Sequence, residues 1–241
     1  MGSHPSPASW TVIDKDAGVL ALSYTFTKGS TSNSFAARMP DGKMLVVSPA
    51  VRLTDALAAE LTTYGDVGYI VANNGFHHLG QAEWRARFPE ARCFAPADAM
   101  ARIKKKNPGA GAFEPLSALV PLTGDDVGVR EVPNSKCGES WVWARVAGGH
   151  AWYLSDVLAN MPELPKALPL RLLFKWTKSA PGFRVFGLAL KFVVKDKKAT
   201  LRLLLNDMSK APPTVIVPAH GGILQEEGLA KRAADLVGTA L

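Results

Sequence analysis

The chain has 241 residues, 47% of them hydrophobic, enough to build a sizeable core in one domain or two small ones. Its formal charge is +7, from 28 basic and 21 acidic side chains, and it has two cysteines, Cys93 and Cys137, without paired spacing. That excludes a zinc-ribbon or disulfide-framework protein and leads us to expect two reduced thiols, with a single disulfide as the one crosslink left open. No stretch approaches the roughly 18 uncharged apolar residues a membrane span needs; the longest candidate, 185–194, contains Lys191. The first residues, Met1-Gly-Ser-His-Pro-Ser-Pro7, lack the apolar run of a secretion signal. Residues 1–9 are therefore expected to be a tail, and the protein to be cytoplasmic.

In chain order, 10–14, 19–25, 34–39 and 43–48 alternate as successive strands, with turns at Asp16-Ala-Gly18 and Pro40-Asp-Gly-Lys43. Thr54 is placed to cap a helix whose apolar face holds Leu57, Leu61 and Tyr64, and which Gly65 ends. A buried strand is predicted over 67–72, a helix over 81–88, a strand over 91–94 and a helix over 97–106. A second β-rich block follows, with strands at 127–132, 140–146 and 151–155. Residues 161–181, broken by four prolines, read as an irregular or partly helical insertion. A helix at 197–208, a strand at 214–218 and a closing helix at 225–241 complete the pattern. With no long linker, residues 10–241 are expected to form one domain of two packed sheets with helices on the outer faces.

Charge is concentrated in one place. Residues 164–198 hold nine basic side chains against one acid, Asp196, so this segment is +8 and the rest of the chain −1. Phe174, Trp176, Phe183, Phe186 and Phe192 are interleaved with those charges. Such a segment suits an anionic surface or ligand; the plainer expectation is a solvated basic face whose aromatics belong to the core. Nothing in it matches an RNA-binding motif, and a nucleic-acid partner is not expected.

Three of the five histidines follow apolar runs: His77 and His78 after Val67–Ala72, and His220 after Thr214–Pro218. A third apolar run, Ala151–Ser155, ends in Asp156. Imidazole is the commonest protein ligand for transition metals, and residues at strand ends can converge on one point. His77 and His78 are neighbours, so both face one centre only if the backbone bends, which Gly75 and Gly80 permit. Taken singly, each residue has a plainer role: a core histidine, a turn aspartate, a turn-shaping histidine before Gly221-Gly222. His150 is expected to be exposed in a turn, and Cys137 to be a bystander.

The order strand, His77-His78 turn, helix, then strand–Asp156, then strand–His220-Gly221 resembles the metallo-β-lactamase-like superfamily over roughly residues 10–240. The resemblance implies a four-layer αββα sandwich. Its His-x-His-x-Asp-His motif, laid on this chain, falls on Asn73, Gly75, His77 and His78, so only the last histidine is retained. A second family histidine is matched by Ser135, whereas the bridging aspartate is matched by Asp156 and the final histidine by His220. The resemblance thus implies loss of one metal position and one divalent ion at the other, held by His77, His78, Asp156 and His220. Zinc is the ion expected, with iron or manganese as alternatives. Four protein ligands around zinc would close the site as in a structural centre, so catalysis would require a wider coordination shell or Asp156 serving as base. Asn73, Asn74, Ser135 and Asn160 are the expected groups supporting ligands or substrate. The function implied is hydrolysis of a small-molecule ester, thioester or phosphoester by water activated at the ion, with 161–198 as a wall or lid. The alternative is a non-catalytic protein of the same fold that engages an anionic partner through 164–198.

Overall fold

Alternating burial along the strands sorts the chain into layers. In the strand Ser140–Val146, Val142, Ala144 and Val146 enter one core and Trp141 enters another, as the two-residue period of a β-strand requires. The computed structural model describes residues 9–27 and 30–241; the expected tail lies, except for Ser9, outside the described residues.

The first sheet has seven strands in sequence order: β1 (Thr11–Asp14), β2 (Val19–Thr27), β3 (Ser30–Arg38), β4 (Met44–Val47), β5 (Val67–Val71), β6 (Arg92–Ala95) and β7 (Glu114–Pro115). β1 to β4 are antiparallel, and β4 to β7 run parallel. The second sheet comprises β8 (Val127–Glu131), β9 (Ser140–Val146), β10 (Gly149–Leu154), β13 (Pro213–Pro218) and β14 (Leu224–Gln225), in the order β14-β13-β10-β9-β8. Only β10 and β13 are parallel there. A separate hairpin pairs β11 (Leu158–Met161) with β12 (Gly182–Val185).

The two sheets share a core that includes Phe35, Leu45 and Val71 from one side and Val142, Tyr153 and Val217 from the other. Helices α1 (Asp55–Thr62) and α2 (Gln81–Arg87) cover the outer face of the first sheet through Leu57, Leu61 and Trp84, with α3 (Ala97–Lys106) beside them. Helices α6 (Lys197–Lys210) and α7 (Leu229–Gly238) cover the second sheet through Leu201, Leu204, Ala233 and Val237. This is the expected four-layer αββα sandwich. Buried indoles are satisfied: Trp84 Nε1 donates to Ala50 O at 2.8 Å and Trp152 Nε1 to Ala211 O at 2.8 Å. Truncating either would cost about 3–5 kcal/mol.

Local signals explain most boundaries. Thr54 accepts from Leu57 N and caps α1, and Asp196 caps α6 through Ala199 N. Three expectations change. β3 begins at Ser30 rather than 34, because Thr31 and Ser32 pair with Thr25 and Tyr24 across a hairpin. The closing helix starts only at Leu229, since Leu224 and Gln225 add an edge strand to β13. His150 is half-buried within β10 with its Nδ1 enclosed. The proline-broken stretch 161–181 holds α4 (Leu168–Trp176), and β12 and α5 (Gly187–Val193) follow it within 161–198.

Candidate metal centre

Four strands end at one place. Ser48 follows β4, the 73–80 loop follows β5, Asp156 follows β10 and His220 follows β13. Carboxyl ends of neighbouring strands are where an α/β sheet offers a crevice. One ligand atom each from His77, Asp156 and His220 lie within 4.8 Å of one another. Both imidazoles approach the same carboxylate oxygen: His77 Nε2 is 3.4 Å and His220 Nε2 3.3 Å from Asp156 Oδ1.

The partners of the remaining atoms fix this orientation. His220 Nδ1 lies 3.1 Å from Thr31 O; a carbonyl only accepts, so this nitrogen carries hydrogen. In the neutral ring the Nε2 lone pair then faces the carboxylate. Two lone pairs facing each other at 3.3 Å require a cation between them, either a proton or a metal ion. The electrostatics agree. Burial alone would lower the pKa of His220, yet its hydrogen bond to Asp156 and the carboxylate charge raise it. Burial would likewise raise Asp156, but the two imidazoles outweigh this and hold the carboxyl well below its usual range. His77 Nδ1 is 2.8 Å from the Ser48 hydroxyl, and Ser48 is held in left-handed backbone (φ 53°) with its carbonyl accepting from Ser34 Oγ. Residues kept in such backbone strain cluster at functional sites.

Asn74 is the organiser of the loop. Its side-chain carbonyl accepts from Phe76 N (2.8 Å) and His77 N (3.1 Å), closing the turn that presents His77. Its amide donates to Asp156 Oδ2 at 2.8 Å and Ser155 Oγ at 3.0 Å, leaving Oδ1 for the imidazoles. Beneath it lies Glu139, fully buried, within reach of Asn74 and Ser140 N. Burial, and then the charge of Asp156, push its pKa well up, the opposite direction to that of Asp156.

The other expected residues fall elsewhere. His78 does not join the cluster or line the crevice: it is buried, its carbonyl accepts from Asn107 Nδ2 and its Nδ1 has no partner among the described residues. Burial, followed by the charge of Arg102, lowers its pKa and keeps it neutral. The physical reason is the one visible in the sequence: adjacent side chains diverge, and the Asn74 turn aims only His77 inward. Asn73 donates to Ser155 Oγ and Ser135 to Asp98 Oδ2 at the start of α3, so neither reaches the three ligand atoms. Asn160 braces the His220 turn, its N–H donating to His220 O at 3.0 Å, its carbonyl accepting from Gly222 N at 2.9 Å and its side-chain amide donating to Gly222 O at 2.9 Å. Between them sits Gly221 (φ 99°), whose absent Cβ would lie 1.9 Å from Asn160 O. Gly75, where the resemblance puts a histidine, has no room for a side chain: a Cβ would meet Arg102 Cδ at 2.8 Å and Cys137 O at 2.9 Å.

Sequence reading did not single out Ser48, Thr31, Ser155 or Glu139. The first three are small polar residues at strand ends with no motif around them. Glu139 had a weak signal, a lone acid leading into the apolar strand β9.

The three ligand atoms line a crevice of about 690 Å³, walled by Phe26, Phe76, Leu79, Phe186, Leu188 and Phe192. Part of the 161–198 insertion, in β12 to α5, thus supplies one wall. Among the described residues Arg102 is the one basic side chain there apart from the histidines, its guanidinium 3.9 Å above the Phe76 ring. Tyr24 and Ser32 add hydroxyls, and burial raises the Tyr24 pKa so that its phenol stays protonated.

No protein-family model and no curated protein sequence matches the chain. Solved structures do match, over the full length. The metallo-β-lactamase DIM-1 aligns over 99% of this chain and 100% of its own, with 14% identity and a TM-score of 0.60. FIM-1 from Pseudomonas aeruginosa, solved in a mono-zinc form, aligns over 99% and 98% with 15% identity and a TM-score of 0.58. The flavodiiron protein from Giardia intestinalis aligns over 98% of this chain and 61% of its own, with 14% identity and a TM-score of 0.58. The chain has the metallo-β-lactamase fold.

Proposed function

We propose that this protein is a metal-dependent hydrolase with one divalent ion, held by His77, Asp156 and His220. The observation that carries the reading is the convergence of three ligand atoms, two imidazole nitrogens against one carboxylate oxygen, at the wall of an apolar crevice. Two imidazoles and a carboxylate match zinc, and three protein ligands leave a position open, the pattern of catalytic rather than structural sites. A single ion is supported by the filled space at Gly75 and by the precedent of a mono-zinc form in FIM-1. When bound, the ion supplies Lewis acidity, polarising a substrate oxygen and acidifying water.

The chain's own residues do the rest. Asp156 is better suited to be a ligand than a base: its depressed pKa makes it a weak proton acceptor. Ser48 and Thr31 hold the two rings, and Asn74 holds the carboxylate. Tyr24 and Ser32 offer hydroxyls to a substrate oxygen. The phenyl and leucyl walls exclude water and favour an ester, thioester or phosphoester with an apolar substituent, while Arg102 suits an anionic group on it. The test is elemental analysis of protein purified without chelator, joined to hydrolysis of nitrophenyl esters of rising chain length. We expect about one equivalent of metal, lost in His77→Ala and His220→Ala but kept in His78→Ala, and activity that chelation removes. Folded protein that takes up no zinc, iron or manganese would end this reading.

A further inference from the structure

Helix α4 is unlike the others in the chain. Among the described residues, the large hydrophobic side chains exposed on helices are four on α4 and Phe192 on α5; the other five helices expose none. Leu168 is 65% exposed, Leu172 58% and Trp176 78%. Spaced at i, i+4 and i+8, these three form a single stripe along the helix. Arg171 and Lys175, both exposed, flank that stripe on the side of each preceding turn. The opposite face is anchored at one point: Phe174 is buried, with its ring centroid 5.7 Å from that of Phe186, which in turn stands 6.0 Å from the His220 ring, while Leu170 one turn earlier is 43% exposed. The stripe is therefore a presented surface on a seated helix.

Its surroundings have one sign. All nine basic residues of 164–198 are exposed, and among the described residues none of them forms an ion pair with a carboxylate. The single acid, Asp196, is occupied in capping α6. Of the five aromatics interleaved there, Phe174, Phe183 and Phe186 belong to the core, whereas Trp176 and Phe192 (57% exposed) do not. No helix in the described residues is long and apolar enough to cross a membrane.

We infer that α4 and the basic arm around it dock the protein on an anionic lipid bilayer, with Leu168, Leu172 and Trp176 entering the interface and Arg171, Lys175 and Lys178 meeting the headgroups. Aliphatic side chains, an amphipathic indole and cations on one short helix are what the water–lipid boundary accommodates. The other occupants fit less well. Nucleic acid matches the cations but has no use for exposed leucines. A second copy of the chain would bring one +8 arm against another. This inference is independent of any metal at the centre.

The experiment is co-sedimentation of the full-length protein with phosphatidylcholine vesicles, with and without about a third of phosphatidylglycerol, followed also by tryptophan emission. Four of the other indoles are buried and Trp143 is half-buried, so a blue shift on binding reports mainly Trp176. We expect binding to the anionic vesicles, at least about tenfold weaker binding to neutral ones, and weakening by salt. The variant Leu168→Ser/Leu172→Ser should lose about tenfold in partition and the blue shift; Arg171→Gln/Lys175→Gln/Lys178→Gln should lose about a hundredfold on anionic vesicles. Because these side chains are exposed, unchanged melting curves confirm that both variants fold. Absence of sedimentation with anionic vesicles at low salt overturns the inference. So does equal binding by the serine variant, which would reduce the contact to charge alone. A dimer in gel filtration that the serine variant splits, or tighter binding to a single-stranded oligonucleotide than to vesicles, would reassign the surface and overturn it as well.

Discussion

Asn74 does at the residue scale what the three ligands cannot do for themselves. One carboxamide both closes the turn before His77 and fixes the far oxygen of Asp156. Removing such support commonly costs 10–100-fold in metal affinity even with the ligands intact. We expect Asn74→Ala to lose about that factor in zinc affinity, measured by competition with a chromophoric chelator. A second residue reads out in alkali. Burial, then the hydrogen bond to Asp41 at 2.6 Å, pushes Tyr69 up to about 12. A phenol that is harder to ionise when folded contributes stability below its unfolded pKa near 10 and loses it as pH rises toward 12. Urea melts across that window should show this decline, and Tyr69→Phe should flatten it.

Elements are held together by a few close contacts whose substitution is costly. Gly128 on β8 faces Trp143 on β9, and a Cβ there would lie 1.9 Å from the indole ring. Trp143 cannot step aside because it stacks on Trp152, with centroids 5.0 Å apart and planes at 20°. Gly128→Ala should therefore cost about 2–3 kcal/mol in chemical denaturation, far more than a β-propensity change alone. Asp14 performs a different task. Its carboxylate accepts from Ala17 N at 2.9 Å in the β1–β2 turn and from Ala147 N at 2.7 Å in the β9–β10 turn, tying one sheet to the other. Those bonds, the one to Ala17 first, lower its pKa. The stability they confer is present above the unfolded value near 4 and is lost as pH falls through the folded one. Asp14→Asn should lower the melting temperature at neutral pH, by about 1 kcal/mol in stability, and shrink the acid-side loss.

For the whole molecule, the layers and the centre are energetically separate. The cores between and outside the sheets consist of aliphatic and aromatic side chains, and no layer depends on a metal for its contacts. Treatment with a chelator should leave the far-ultraviolet spectrum unchanged. Zinc at about a hundred times its dissociation constant should then add about 2.7 kcal/mol, seen as a rise of about 5–10 °C in melting temperature. Unfolding on chelation would instead make the centre structural.

The layered fold was legible in the chain because strand alternation and helix capping are local. Thr54 before Leu57 and Leu61, the matched boundaries 97–106 and 140–146, and the apolar runs before His77, Asp156 and His220 all follow from periodicity and neighbouring residues. Where pairing with a neighbouring strand extended or created a strand without alternation of its own, periodicity was silent, as with Thr31 pairing to Thr25 or Gln225 to Val215. The sequence also determined which residues had metal-binding chemistry, and that one segment held all the excess charge. Only the tertiary structure decided which of two adjacent histidines faces the centre, because that choice is made by Asn74 bonding across the loop to Asp156, 82 positions away. It alone decided that the exposed face of α4 is apolar, since a leucine in a helix looks the same in sequence whether another layer covers it or not.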